Sequence, residues 1–298
     1  GKSNVGGRIK IFLFFCCFTV VKLDGQVISI NTNNTSLVYR AAKDGQLQQV
    51  YFGKKLQDEK EYQAISQTPN TAFPGGGATY SHEPAMEVIH SDGNSSLQLN
   101  YVSHTSEQQN PDVSLTTIRL KDPAYPFFVT LYVKAFLKED VMETWTSIQH
   151  EEKSAVILQR YASAFLSING DRFFLTHFYG DWASEMQIEE TPLPEGLYNI
   201  QSKLGTRATN YGIPSFLLSM NKKADENEGE VMAGTFAWSG NFNLQFENLR
   251  FRGADGNSLK IIPGINSYAS SYPLNPKEIF STPHFIFTCS YVGSEQAS

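Results

Sequence analysis

In the stretch FFVTLYVKAFL, residues 127–137, every odd position is apolar: Phe127, Val129, Leu131, Val133, Ala135 and Leu137. Successive side chains of a strand point to opposite faces, so this pattern predicts a half-buried strand with the odd residues inward. The same period of two recurs from Gln26 onward. In HFIFTCSYV, residues 284–292, it puts Phe285, Phe287 and Cys289 on one face. VILQRYASAFLSI, from Val156, alternates less cleanly. Asp44-Gly45, Asp92-Gly93, Asn169-Gly170, Ser239-Gly240-Asn241 and Asp255-Gly256-Asn257 punctuate the runs as turn signals. PGGG at Pro74 and NKKADENEGE at Asn221 read as surface loops. No long segment carries the i, i+3, i+4, i+7 stripe of an amphipathic helix. Many strands, short turns and no dividing linker predict an all-β chain, one large antiparallel sandwich over residues 26–298.

The first residues follow another pattern. Arg8 and Lys10 precede IFLFFCCFTVV, residues 11–21, an apolar run too short to span a bilayer. A basic lead, an apolar core and the following KLDGQ are expected to form a secretory leader over residues 1–25, cleaved before Gln26. The competing reading of the same run is a buried strand. Export would place the protein outside the cell or in the periplasm, with no membrane attachment once the leader is gone. It would also remove Cys16 and Cys17, leaving Cys289 as a small core residue without a disulfide partner. Asn33 in NNTS and Asn94 in NSS match glycosylation sequons.

Several chemistries are excluded by composition and spacing. The chain has 24 Lys and Arg against 30 Asp and Glu, a formal net charge of -6, and its basic residues are dispersed. Nothing could neutralise a run of phosphates, so no nucleic-acid partner is expected. None of the six His residues stands in HExxH or HxH spacing, and HEPAM at His82 and HEEKS at His150 lack a second His. No metal is expected on that ground. A dinucleotide site would need a βαβ unit, and GKKL at Gly53 lacks the glycine spacing of a phosphate loop, so no cofactor is expected either. The stretch YGDWASEMQIEETPL, residues 179–193, sets Asp181, Glu185, Glu189 and Glu190 beside Trp182. As a strand it turns Asp181, Glu185 and Glu189 outward and Trp182, Met186 and Ile188 inward. Asp181 and Glu185 would then lie roughly 13 Å apart at about 3.3 Å per residue. A glycosidase pair needs about 5–5.5 Å for retention or about 6.5–9.5 Å for inversion. On spacing, this strand carries no catalytic pair.

The same stretch resembles a segment of the N-terminal domain of glycoside hydrolase family 36 α-galactosidases, written G-A-W-A-R-E-R-x-I-E-x-x-P-L. Gly180, Trp182, Ala183, Glu185, Ile188, Glu189, Pro192 and Leu193 match, while Ser184 and Met186 replace the two arginines. NTSLVYRAAKDGQLQQVYFGKKL, from Asn34, is similar to the family's opening hairpin. HEPAMEV, from His82, is similar to its R-E-P-A-x-E-V, with His82 in the place of the arginine. GEVMAGTFAWSGNF, from Gly229, and GINSYASSYPLNPKEIFSTPHFIFTCSYVG, from Gly264, resemble its closing strands. Each motif is weak alone; their common order along residues 34–293 makes the resemblance specific.

That resemblance implies a β-supersandwich of the galactose-mutarotase-like kind. It implies that the catalytic aspartates belong to a (β/α)8 barrel following in the same polypeptide, which cleaves terminal α-galactosides with retention. This chain by itself is therefore expected to hold no catalytic residue. Its expected role is to pack on the barrel and support oligomer assembly, with the barrel and a homo-oligomer as partners and galacto-oligosaccharide bound at most weakly. Six residues are candidates for touching carbohydrate or the barrel: His82, Trp182, Glu185, Tyr211, Trp238 and Asn241. Trp182 and Trp238 are read as core or docking residues, Asn241 as turn chemistry and Glu185 as a solvated or interdomain face. Lys54 to Gly77 is short for the loop by which some relatives reach a neighbour's sugar site. An autonomous carbohydrate-binding module is the alternative, carried by Tyr179, Trp182, Tyr211 and Trp238. A complete enzyme would need Asp181, Glu185 and Glu83 to meet from different strands.

Overall fold

The strand β8 (Phe127–Phe136) buries Phe127, Val129, Leu131, Val133 and Ala135 and leaves the even residues half-buried, as the alternation predicts. Leu137 falls past its end. The computed structural model describes residues 25–58, 70–77, 82–177, 189–201, 214–221, 229–250, 256–266 and 271–292. Every regular element among these residues is a strand, and every strand pair is antiparallel.

The widest sheet has ten strands. From one edge it runs β13 (Glu189–Pro192), β12 (Phe173–His177), β15 (Ser215–Met220), β16 (Gly229–Ala237) and β21 (His284–Val292). It continues through β9 (Val141–His150), β8, β7 (Val113–Lys121) and β6 (Asn100–Asn110), with β20 (Phe280–Ser281) also on β9. The register Phe127↔His150 to Phe136↔Val141 keeps the inward residues of β8 and β9 on one face.

Three smaller sheets form the other layer. One is β1 (Val27–Asn31), β2 (Thr35–Ala41), β3 (Leu47–Lys54) and β4 (Asn70–Thr71). The second joins β19 (Tyr272–Leu274), β10 (Val156–Tyr161) and β5 (Met86–Ile89). The third joins β11 (Leu166–Gly170), β18 (Asn257–Ile265), β17 (Phe242–Arg250) and β14 (Gly196–Gln201). One core spans both layers, with Leu37, Val88, Leu158, Phe246 and Ile261 from the small sheets and Phe127, Phe216, Phe285 and Phe287 from the large one. Single bridges at Gln46↔Asn100, Gly75↔Met86 and Ala162↔Gly264 stitch the small sheets to their surroundings. The result is a β-supersandwich. Cys289 lies in this core, and burial pushes its thiol up to about 12, so it is packing and not a nucleophile.

Three local readings need correction. PGGG is not a surface loop, because Gly75 and Gly76 are buried and Gly75 bridges to Met86. The glycines let that backbone press against Leu97. VILQRYASAFLSI is two strands in two sheets, β10 and β11, with a register shift between Leu158 and Arg160, which is why its alternation slips. Asn169-Gly170 is the paired end of β11 opposite Ser258 and Asn257, so the chain turns two residues later on its way to the large sheet. Of the leader expected over residues 1–25, all but Gly25 lies outside the described residues, as does the segment 178–188.

Candidate functional site

Along the outward face of the large sheet an aromatic ladder crosses three strands. Tyr132 of β8 stacks on Trp145 of β9, with centroids 5.0 Å apart and planes 8° apart. Trp145 stacks in turn on His284 of β21 at 4.3 Å and 7°. Tyr132 and Trp145 are direct cross-strand partners, so the register builds this ladder. The imidazole Nδ1 of His284 is hydrogen-bonded to the Glu143 carboxylate. Glu143 stands two residues before Trp145 on the same face of β9.

This ladder ends at the rim, where the turn from β16 to β17 carries Trp238 and Asn241. The Trp238 indole N–H donates to the Asn241 carbonyl at 3.1 Å, and the Asn266 N–H donates to the same oxygen at 3.0 Å. Trp238 remains 38% exposed. A cleft of about 390 Å³ opens between them, lined by Glu143, Trp238, Ile265, Phe280, Thr282 and His284. Of the six sequence candidates, the structure brings Trp238 and Asn241 together here. Trp182, Glu185 and Tyr211 lie outside the described residues.

His82 is elsewhere. Its Nδ1 is 3.6 Å from the Glu247 carboxylate of β17, a position five residues along that strand from Phe242, roughly 17 Å. Glu247 also accepts the Glu83 N–H at 2.9 Å, and the Glu83 carboxylate pairs with Arg160 of β10. The HEPAM segment thus ties two small sheets together, a structural task. Glu143, Tyr132, Trp145 and His284 were missed by sequence reasoning. The one available signal was aromatic and acidic side chains on the outward phase of VMETWTSIQH and FFVTLYVKAF.

Between the small sheets lies a second polar cluster. The Lys260 Nζ of β18 donates to Asn70 Oδ1 at 2.5 Å, Ser167 Oγ at 2.8 Å and Ser258 Oγ at 3.1 Å. Burial pulls this ammonium down to about 8, with the Glu247 charge opposing the shift. Because the folded-state value is depressed, the unfolded chain holds the extra proton between about pH 8 and the ordinary 10.5. Stability contributed by this group therefore rises with pH through that window and is constant below it. Against a Lys260→Met control, the wild-type protein is expected to gain roughly 3 kcal/mol between those limits, at about 1.4 kcal/mol per unit. Urea unfolding at a series of pH values reads this difference, and a flat difference would contradict the burial of the amine.

The comparisons with known proteins agree with the fold. A family model described as glycosyl hydrolase family 36 N-terminal domain matches residues 45–275. Alpha-galactosidase AgaA of Geobacillus stearothermophilus is 25% identical over 297 residues, 89% of this chain and 40% of that protein. The bifunctional alpha-galactosidase/sucrose kinase AgaSK of Mediterraneibacter gnavus is 23% identical over 90% of this chain and 31% of its own length. The crystal structure of AgaA superposes with a TM-score of 0.79 at 24% identity, covering 90% of this chain and 41% of that one. The alpha-galactosidase from Lactobacillus brevis gives 0.78 at 20%, covering 90% and 40%. This chain thus spans about two fifths of the length of AgaA and less of AgaSK.

Proposed function

This chain belongs to the glycosyl hydrolase family 36 N-terminal domain family, and on that premise we propose that it is the non-catalytic domain of a secreted α-galactosidase, packed against a catalytic barrel. The observation that carries the proposal is the outward face of the ten-stranded sheet. A solvated face should be polar by alternation. Here Val113 and Leu115 of β7, Tyr132 and Phe136 of β8, Val141 and Trp145 of β9 and Ile286 of β21 share that face, continued by Ala233 and Leu217. All are half-buried without a described layer above them. Large apolar side chains gathered on one face of a sheet, here between polar ones such as Lys134 and Glu143, support a surface that another domain covers. Relatives more than twice this chain's length are consistent with such a domain.

Export is the second element of the proposal, supported by Arg8, Lys10 and the apolar run 11–21. Oligomer assembly would use whatever part of the apolar face the barrel leaves open. One experiment tests all three elements: expression of the parent gene with and without Ile286→Lys and Leu217→Lys. The wild-type protein should be recovered outside the producing cell with Gln26 at its N-terminus. It should turn over p-nitrophenyl α-galactoside, whereas this chain alone should not. The lysine variants should lower the unfolding free energy of this chain by no more than about 1 kcal/mol, because at these half-buried outward positions the lysine ammonium can reach water. In the parent protein they should lower thermal stability and activity together and reduce the assembly size. Equal effects in both contexts would remove the docking reading; turnover by this chain alone would remove the non-catalytic one.

A further inference from the structure

Among the described residues the ten-stranded sheet ends at β6, which has β7 on one side only. At its start the other side is taken. The Tyr101 N–H donates to the Gly45 carbonyl at 2.8 Å, and Asn100 bridges to Gln46. Register shifts then fall between Tyr101 and Ser103 and between Gln108 and Asn110. Between these two bulges, Ser103 to Gln108 pair regularly with Arg119 to Ser114. Every second residue of that run turns its N–H and C=O away from β7. Proteins commonly blunt such an edge with Lys or Pro, and NYVSHTSEQQN contains neither. Thr105 through Asn110 are exposed, so an added strand meets no covering layer. The hairpin is also held in place: the Leu137 N–H donates to the Asp112 carbonyl at 2.7 Å, and Lys138 Nζ pairs with the Asp112 carboxylate at 3.0 Å. A preformed edge loses little freedom on pairing.

The side chains select the partner. Glu107 is the one carboxylate on β6, and Arg119 stands opposite Ser103 on β7. Both are exposed, and neither forms an ion pair among the described residues. A two-fold axis normal to the sheet pairs β6 antiparallel with its own copy. With the axis through Thr105, Ser103 faces the partner's Glu107, His104 faces the partner's Ser106 and the two Thr105 residues face each other, a favourable cross-strand pair. Arg119, Ser103 and the partner's Glu107 then stand in line on one side of the sheet. Arginine and glutamate are two strand spacings apart, about 10 Å, which their side chains span over the small serine. An axis through Ser106 would instead set the partner's Glu107 opposite Thr105 and Thr117, away from the cation. The twist of roughly 20–25° per strand lifts the partner's hairpin tip out of plane past the turn at Gly45. We infer that β6 is a self-pairing edge: a second copy adds along residues 103–107, with the register fixed by two symmetric Arg119–Glu107 pairs. This contact lies at the rim, in the plane of the sheet, and does not rest on the domain proposed to cover the apolar face.

Sedimentation equilibrium of this chain tests the inference. So short a run buries less than the ~1,200 Å² of a stable interface, so a weak dimer with a dissociation constant of about 100 µM is expected. Thr105→Lys sets two ammonium groups on the axis and should weaken the dimer by about tenfold or more. Glu107→Lys should weaken it by about fivefold, and Glu107→Lys combined with Arg119→Glu should restore it, a rescue that only a direct pair gives. Thr105→Cys should yield a disulfide-linked dimer above the level of the unsubstituted chain, because cross-strand Cα separations of about 4.5–5.5 Å suit a disulfide. Gln109→Cys should not. Urea midpoints of these exposed-site variants should match wild type. A monomer up to about 1 mM, or a dimer indifferent to Thr105→Lys, would overturn the inference. So would a dimer lost in Leu217→Lys but kept in Thr105→Lys, which would move self-association to the apolar face. Export, turnover and docking on that face are read separately and are unaffected by these outcomes.

Discussion

Replacing Glu152 by alanine is expected to cost about 3–5 kcal/mol of folding stability, the range for removing one partner of a buried ion pair. Glu152 Oε2 is 2.9 Å from His90 Nδ1, and the two side chains are 2% and 0% exposed. The other carboxylate oxygen accepts the Ser91 N–H at 3.1 Å and the Ser91 hydroxyl at 3.2 Å. His90 Nε2 stands 2.7 Å from the Ser96 carbonyl. Both ring nitrogens of His90 are therefore engaged inside the protein. The imidazole also stacks on the Tyr125 ring at 3.6 Å and 4°, with Phe127 edge-on at 5.7 Å. Alanine at 152 would leave the buried His90 Nδ1 and two donors on Ser91 without their partner. Glutamine keeps one acceptor and should lose about half as much. The double variant His90→Leu, Glu152→Met, which replaces both polar partners by apolar side chains, should be more stable than Glu152→Ala. Urea midpoints of the four proteins read the order. A loss under about 1 kcal/mol for Glu152→Ala would show that the pair is not a buried one.

The fold was legible where one strand's own alternation decides burial. β8 and β21 follow their sequence patterns residue by residue, and Phe285, Phe287 and Cys289 lie in the core as that pattern requires. The site was half legible. SGNF announced a turn, and the turn positions Trp238 over Asn241. Its opposite wall depends on pairing between β9 and β21, strands about 140 residues apart in sequence. Alternation places a side chain on a face and is silent about which strand lies alongside. For that reason Glu143 and His284, each unremarkable in its own run, could not be joined beforehand. The Gly-rich segment failed differently. Glycine permits both an exposed turn and a close backbone approach, and local sequence does not distinguish them.

That distinction gives the second large effect. Gly75→Ala is expected to cost about 3 kcal/mol or more, the upper end for overpacking, because its new methyl meets the Leu97 backbone, which no rotamer change can move aside. The Cβ would fall inside van der Waals contact of the Leu97 carbonyl oxygen and 2.9 Å from that carbonyl carbon. Neither backbone can retreat. The Gly76 N–H donates to the Met86 carbonyl at 2.8 Å, the Leu97 N–H donates to the Gly76 carbonyl at 3.1 Å, and Gly75 bridges to Met86. Moving the segment by the required distance would break its bonds to β5 and to the Leu97 segment at once. Gly76→Ala is the control. Its methyl would meet Glu87 Cγ at 2.8 Å, the stem of a flexible side chain, and the nearest backbone atom only at 3.5 Å. A rotamer change at Glu87 relieves that contact for about 1 kcal/mol. Both alanines stiffen the unfolded chain by the same ~0.4–1 kcal/mol, so the difference between the variants isolates the contact with Leu97. Urea unfolding at constant m-value should place the Gly75→Ala midpoint well below that of Gly76→Ala. Equal midpoints would mean that Gly75 does not press on Leu97, and would restore PGGG as an ordinary surface loop.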